Sequence, residues 1–274
     1  MTASGARTSG TSLAERYRSV LDRIAGATSR AGRSPDEIIL VAVTKHAEPE
    51  DIRALMELGH VDFGESRVQQ LVQRAAMADE WLERVRVLGR AAEGPGDLIG
   101  EKTPGLDPDH PARWHIIGHL QRNKARKVVG CVRLVHSVDS LRLAEELQTA
   151  LRKTDQRLDV LLQVNISGEA SKQGCLSPAA PAMVEQIESM YSLRLRGLMT
   201  MAPYSDDPED SRPHFTRCRE LFEEIKTSGA GEGAFNLLSM GMSGDYEVAI
   251  EEGANIVRVG TAIFGRSSVE ECEN

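Results

Sequence analysis

The chain has 274 residues, 41% of them hydrophobic and 27% charged, with a formal net charge of −8. That balance gives no general attraction to nucleic acid or to an anionic membrane, and no run approaches the roughly 20 apolar residues of a membrane span. The length suits one large domain or two small ones.

Residues 1–12, rich in Ser, Thr and Gly, lack the apolar core of a signal peptide and are expected to form a flexible tail. Ser12 and Glu15 then spell a capping box, followed by the helical stripe Leu13, Tyr17, Val20, Leu21 and Ile24. Residues 38–45, Ile-Ile-Leu-Val-Ala-Val-Thr-Lys, read as a strand covered on both faces that ends in a lysine. Pro49 opens a short helix that Gly59 closes, 61–65 form a second strand, and Val68, Leu71, Val72 and Ala75 mark the next helix. Residues 89–112, dominated by glycine, proline and charge, interrupt the rhythm and read as an inserted loop.

Further strands are expected at 114–118, 133–137, 158–166, 195–199, 236–240 and 256–259, with helices between them. Ser140 is placed to cap one of these helices, and Ser177-Pro178 to cap another. Eight strands alternating with helices predict one (β/α)8 TIM barrel over residues 13–266, with a polar tail at 267–274. A doubly wound open sheet of the same α/β class is the competing architecture. The cysteines Cys131, Cys175, Cys218 and Cys272 are scattered and form no Cys-x-x-Cys pair, which suits reduced thiols in a cytoplasmic protein.

In a barrel, chemistry gathers at the carboxyl ends of the strands. Lys45 ends the first strand, where a partly desolvated amine can form an imine with an aldehyde such as that of pyridoxal phosphate; the alternative is a surface lysine that begins a loop. Residues 239–245, Ser-Met-Gly-Met-Ser-Gly-Asp, and the pair Gly260-Thr261 fall after the last two strands, where barrels often seat a phosphate; ordinary turn chemistry is the alternative. Arg258 lies inside the final apolar strand and must face the mouth or find a partner. If it donates to a cofactor's pyridine nitrogen, that nitrogen stays largely unprotonated and the ring is a weak electron sink. His115, His119 and His136 sit on two segments without a carboxylate cluster, which favours structural histidines over a metal site. Glu65, Asn123, Lys124 and Asn165 lie near strand ends and could face the mouth or solvent, while Arg122, Lys124, Arg126 and Lys127 read as a solvated basic face.

Six motifs in order carry a family resemblance: Val43-Thr44-Lys45, Phe63-Gly64-Glu65, Trp114 through Lys124, Arg196-Gly197-Leu198-Met199, Leu238 through Ser243, and Arg258 through Gly265. The chain resembles the pyridoxal phosphate homeostasis proteins, relatives of the alanine racemase N-terminal domain. The resemblance implies a single barrel with the cofactor held on Lys45 as a Schiff base. It further implies Arg258 at the ring nitrogen, phosphate contacts from Ser243, Gly260 and Thr261, and Met240 beside the cofactor. Ser66 stands where the family usually has Asn.

The function so implied is a non-catalytic protein that holds and delivers pyridoxal 5'-phosphate and maintains vitamin B6 and amino-acid balance. It is expected to act as a monomer, with cofactor-requiring apoenzymes as candidate recipients. The alternative is a racemase or related fold-type III enzyme, which needs a second acid–base group; Tyr204 and Tyr246 are the tyrosines placed near the mouth. A third possibility is an interaction scaffold whose 89–112 loop binds a partner.

Overall fold

The computed structural model describes residues 11–92, 111–152, 156–169 and 172–265. Its strands are β1 (Ile39–Val43), β2 (Asp62–Glu65), β3 (Arg113–Ile116), β4 (Leu134–Val138), β5 (Leu158–Asn165), β6 (Cys175–Leu176), β7 (Leu193–Met199), β8 (Leu237–Ser239) and β9 (Ile256–Val259). β1 pairs in parallel with β2 and with β9, and a parallel pairing of β4 with β5 joins the two ends of the sheet. The two-residue β6 hangs on β5, outside the ring. The architecture is therefore a closed eight-stranded (β/α)8 barrel, not an open doubly wound sheet.

The alternation of each strand divides its side chains between two cores. Val41, Leu134, Leu161, Met199 and Ile256 meet inside the ring. Leu40, Ala42, Phe63, Trp114, Ile116, Val160, Val257 and Val259 face outward and pack under the helices. One site shows how tightly the wall is built. The register of β5 on β7 shifts past Arg196, and the next residue, Gly197, has φ +149°. A Cβ there would lie 1.8 Å from the Leu237 carbonyl oxygen, so only glycine lets β7 lie against β8.

The first helix, Leu13–Arg30, starts at the expected capping box: Ser12 Oγ accepts from Glu15 N at 3.2 Å, and the Glu15 carboxylate accepts from Ser12 N at 2.7 Å. It binds the segment 247–263, with Arg23 and Arg30 paired to Glu247 and Glu251, and Arg16 Nε donating to the Ile263 carbonyl at 2.7 Å.

Two capping expectations need correction. Ser140 occupies the cap position of helix Leu141–Leu151 but makes no side-chain cap hydrogen bond. Ser177-Pro178 opens a short 3-10 turn, and the α-helix begins only at Ala180. The helix starting at Val68 runs to Ala92, into the segment expected as loop. Residues 93–110 of that segment, residues 1–10 of the expected N-terminal tail and the tail at 267–274 lie outside the described residues. Among the described residues no helix is long and apolar enough to cross a membrane.

Candidate functional site at the barrel mouth

The carboxyl ends of the strands open into a cavity of about 480 Å³, lined by Lys45 from the first βα loop, Ser243 and Gly244 from the seventh, Gly260 and Thr261 from the eighth, and Arg258 from the barrel wall. Ser66, His119, Gln163, Met201, Tyr204 and Met242 complete much of the rest. Lys45, Ser243, Arg258, Gly260 and Thr261, far apart in sequence, thus share one concave surface.

Lys45 is held through its backbone neighbours. Thr44 is buried; its N–H donates to the Gly64 carbonyl at 2.9 Å and its hydroxyl to Glu65 Oε2 at 3.0 Å. Arg74, on the helix after β2, pairs with Glu65 and donates to the carbonyl oxygens of Thr44 and Ala47, the latter at 2.8 Å. The residues on either side of Lys45–His46 are therefore tied to a single guanidinium. The Lys45 side chain itself is exposed, which corrects the expectation of partial desolvation. Among the described residues no hydrogen bond or ion pair engages its amine.

Arg258 is only 3% exposed. Its Nη1 donates to Ser239 Oγ at 2.6 Å and its Nη2 to the Thr200 carbonyl at 3.0 Å. Burial pulls the guanidinium down to about 10, with Asp245 acting in the opposite sense, yet no ion pair joins Arg258 to a carboxylate among the described residues. A guanidinium carries five N–H donors. Two side-chain bonds leave capacity for an acceptor in the cavity, and a buried cation without a direct ion pair favours an anionic or acceptor ligand.

The turns beside it are built for close approach. Ser243 Oγ accepts from the N–H groups of Gly260 at 3.1 Å and Ala262 at 3.4 Å, joining the last two βα loops. Gly241 has φ +92°, and a Cβ there would lie 2.6 Å from Ala249 Cβ. At Gly260 a Cβ would meet Val43 Cβ at 3.2 Å, so the final turn lies directly against the end of β1. Small residues and hydroxyls at this rim suit an anion that approaches backbone amides.

The other candidates separate. Met240 does not line the cavity; it is fully buried in the outer core, while Met242 faces the mouth. Strand alternation explains this, because Ser239 points inward and its successor points out. Glu65 is fully buried and supports the Lys45 loop without lining the cavity. Asn165 accepts from Ser167 Oγ and Gly168 N and donates to the Glu169 and Lys172 carbonyls, shaping the loop after β5. Asn123 and Lys124 sit in a 3-10 turn outside the cavity lining, and Arg122, Arg126 and Lys127 are exposed as expected of a solvated face.

His119 lines the mouth and pairs with Asp139 at 3.3 Å, whereas His115 and His136 are buried inside the barrel. Of the two tyrosines singled out, Tyr204 lines the cavity and is 90% exposed, and Tyr246 is buried. Nothing in the sequence singles out Arg74, which looks like any helix-surface arginine until Glu65 is seen beneath it.

Residues 38–268 match the family described as alanine racemase, N-terminal domain. A pyridoxal phosphate homeostasis protein of Aquifex aeolicus is 38% identical over 251 residues, which cover 92% of this chain and 96% of the relative. A protein of the same name from Pseudomonas aeruginosa is 36% identical over 253 residues, covering 92% and 95%. Among solved structures, PipY of Synechococcus elongatus with PLP bound superimposes with a TM-score of 0.67 at 29% identity, covering 90% of this chain and 100% of that one.

Proposed function

The chain belongs to the pyridoxal phosphate homeostasis protein family, and from that premise we propose that it holds pyridoxal 5'-phosphate on Lys45 and delivers it within the cell. The observation that carries the reading is the meeting on one cavity of Lys45 and the buried Arg258, which forms no ion pair among the described residues.

The residues present fit that cofactor. Lys45 Nζ adds to the aldehyde carbon, and the carbonyl oxygen leaves as water, so the link reverses with water or an incoming amine. Arg258 donates to the pyridine nitrogen. Ser243, Gly260 and Thr261 receive the phosphate, and Met242 takes the neighbouring position first expected of Met240. When bound, pyridoxal phosphate supplies an electron sink for carbanions only to the extent that its ring nitrogen is protonated. Arg258 does not release a proton to it. The site therefore favours storage and transfer over carbanion chemistry.

The exposure of Lys45 fits the same role, since an amine open to solvent is also open to exchange. Recipients are apoenzymes that require the cofactor. The protein acts as a cytoplasmic monomer, and its described cysteines, Cys131, Cys175 and Cys218, are free thiols.

The racemase reading rests on one observation, the presence of Tyr204 in the cavity as the second acid–base group. Its hydroxyl donates to Asp206 at 3.0 Å. A titration separates the readings. The carrier binds the cofactor with a visible absorbance change and transfers it to an apoenzyme. A racemase inverts an amino acid at enzymatic rates, and that inversion disappears in Tyr204→Phe.

A further inference from the structure

The barrel interior holds a line of polar groups that the proposed cofactor contacts do not use. Asp62 Oδ1 lies 3.0 Å from His115 Nε2, and His115 Nδ1 lies 2.9 Å from His136 Nε2. His136 Nδ1 lies 2.9 Å from Ser239 Oγ, which accepts from Arg258 Nη1 at 2.6 Å. Asp62 begins β2, at the end of the barrel away from the mouth, where Arg113 also pairs with it. The line then passes through β3 and β4 and crosses the lumen to β8 and β9. All five residues are at most 7% exposed.

With one proton on each ring and an ionised Asp62, only one arrangement of protons satisfies every link. The carboxylate of Asp62 can only accept, so His115 carries its proton on Nε2. Burial raises the Asp62 carboxyl, but His115 and Arg113 outweigh it and hold it below the ordinary carboxylate range. With that single proton on His115, its Nδ1 accepts and His136 donates from Nε2. Burial, reinforced by the charge of Arg258, keeps His136 well below its ordinary value and therefore neutral. Its Nδ1 accepts from the Ser239 hydroxyl, whose oxygen is left as an acceptor for Arg258. The reverse direction needs one more proton, on the Asp62 carboxyl or as a second proton on His115, and it takes from the Ser239 hydroxyl the acceptor it now has.

We infer that Asp62 is a positioning residue for the cofactor site: through His115, His136 and Ser239 it fixes one direction of hydrogen bonding across the barrel and so aims Arg258. This use of Arg258 rests on the cofactor reading, but the direction of the line does not. Asp62 touches no ligand, and its effect reaches the mouth only through the three intervening side chains.

The test has two arms. In the unloaded wild-type protein, nitrogen NMR of the histidine rings reads the tautomers directly. Both His115 and His136 are expected to be neutral and protonated at Nε2; a proton on Nδ1 of either ring at neutral pH overturns the inference. In the loaded protein, Asp62→Leu removes the terminal acceptor. It is expected to shift the absorption band of bound pyridoxal phosphate and to weaken retention on the order of tenfold, the scale of losing an outer partner of a bound group. Asp62→Asn, whose amide oxygen still accepts, is expected to restore the band. An unchanged band and retention in a folded Asp62→Leu protein overturn the positioning role. If that variant does not fold, the wild-type tautomers decide the matter. If wild-type protein takes up no cofactor, the cofactor reading fails while the NMR arm still judges the line.

Discussion

Arg258 donates to Ser239 Oγ at 2.6 Å from inside the barrel wall, and no carboxylate among the described residues forms an ion pair with it. A buried guanidinium so placed is costly unless a ligand uses its remaining donors. Replacing it with glutamine is expected to weaken pyridoxal phosphate binding by about 2 kcal/mol, roughly thirtyfold, the scale of a hydrogen bond to a charged group. The absorption spectrum of the bound cofactor is expected to change as well. Both are read by spectroscopic titration, and an unaltered spectrum would remove Arg258 from the ring nitrogen.

Arg74 supports the attachment point from behind. In Arg74→Met the Glu65 carboxylate, fully buried, loses its cation, and the carbonyls of Thr44 and Ala47 lose their donor. A destabilisation of about 3 kcal/mol is expected in urea unfolding, together with slower attachment of the cofactor. Adding Glu65→Gln to that variant is expected to recover part of the stability, because the unpaired buried charge is gone. No recovery would mean that the ion pair does not set the loop.

Gly197 tests the barrel wall rather than the site. Gly197→Ala places a methyl group 1.8 Å from the Leu237 carbonyl oxygen, and backbone cannot yield as a flexible side chain would. The expected loss exceeds about 4 kcal/mol, read as a collapse of the thermal transition or as insoluble protein. A variant as stable as wild type would show that β7 and β8 do not meet as described.

Acid stability should carry the signature of His60. This ring is buried, with Nε2 2.7 Å from the Asp62 carbonyl and Nδ1 3.2 Å from the Tyr17 hydroxyl. Burial lowers it from 6.5 to about 4, against the opposing pull of the Asp62 carbonyl and charge. The unfolded chain therefore takes up a proton first as pH falls. Stability is fully present above about pH 6.5 and is lost progressively down to about pH 4, by about 3 kcal/mol from this group. His136 is lowered too and acts in the same direction. His60→Gln is expected to flatten the pH dependence in that window, measured by denaturant midpoints.

Most of the wall strands were legible because they are short apolar runs followed by turn residues. Lys45 stood out because a charge ends such a run. The line from Asp62 to Arg258 was not legible. It depends on which strands close the ring and on the register of Gly64 opposite His115, and no single segment encodes either. His115 and His136 read as structural histidines, and each satisfies the other; what the sequence does not reveal is that they are partners. Met240 and Met242 show a subtler limit. Period-two alternation sends Met240 outward, and Gly241, at φ +92°, turns the chain so that Met242 faces the mouth. Arg74 gave no sequence signal because its partners come from the loop after β1 and the end of β2.

The most direct measurement is borohydride reduction of protein loaded with pyridoxal phosphate, followed by peptide mass mapping. One pyridoxyl group is expected on the peptide that contains Lys45, and Lys45→Ala is expected to be colourless and unlabelled. A label on Lys124 or Lys172, or a yellow Lys45→Ala protein, would contradict the account.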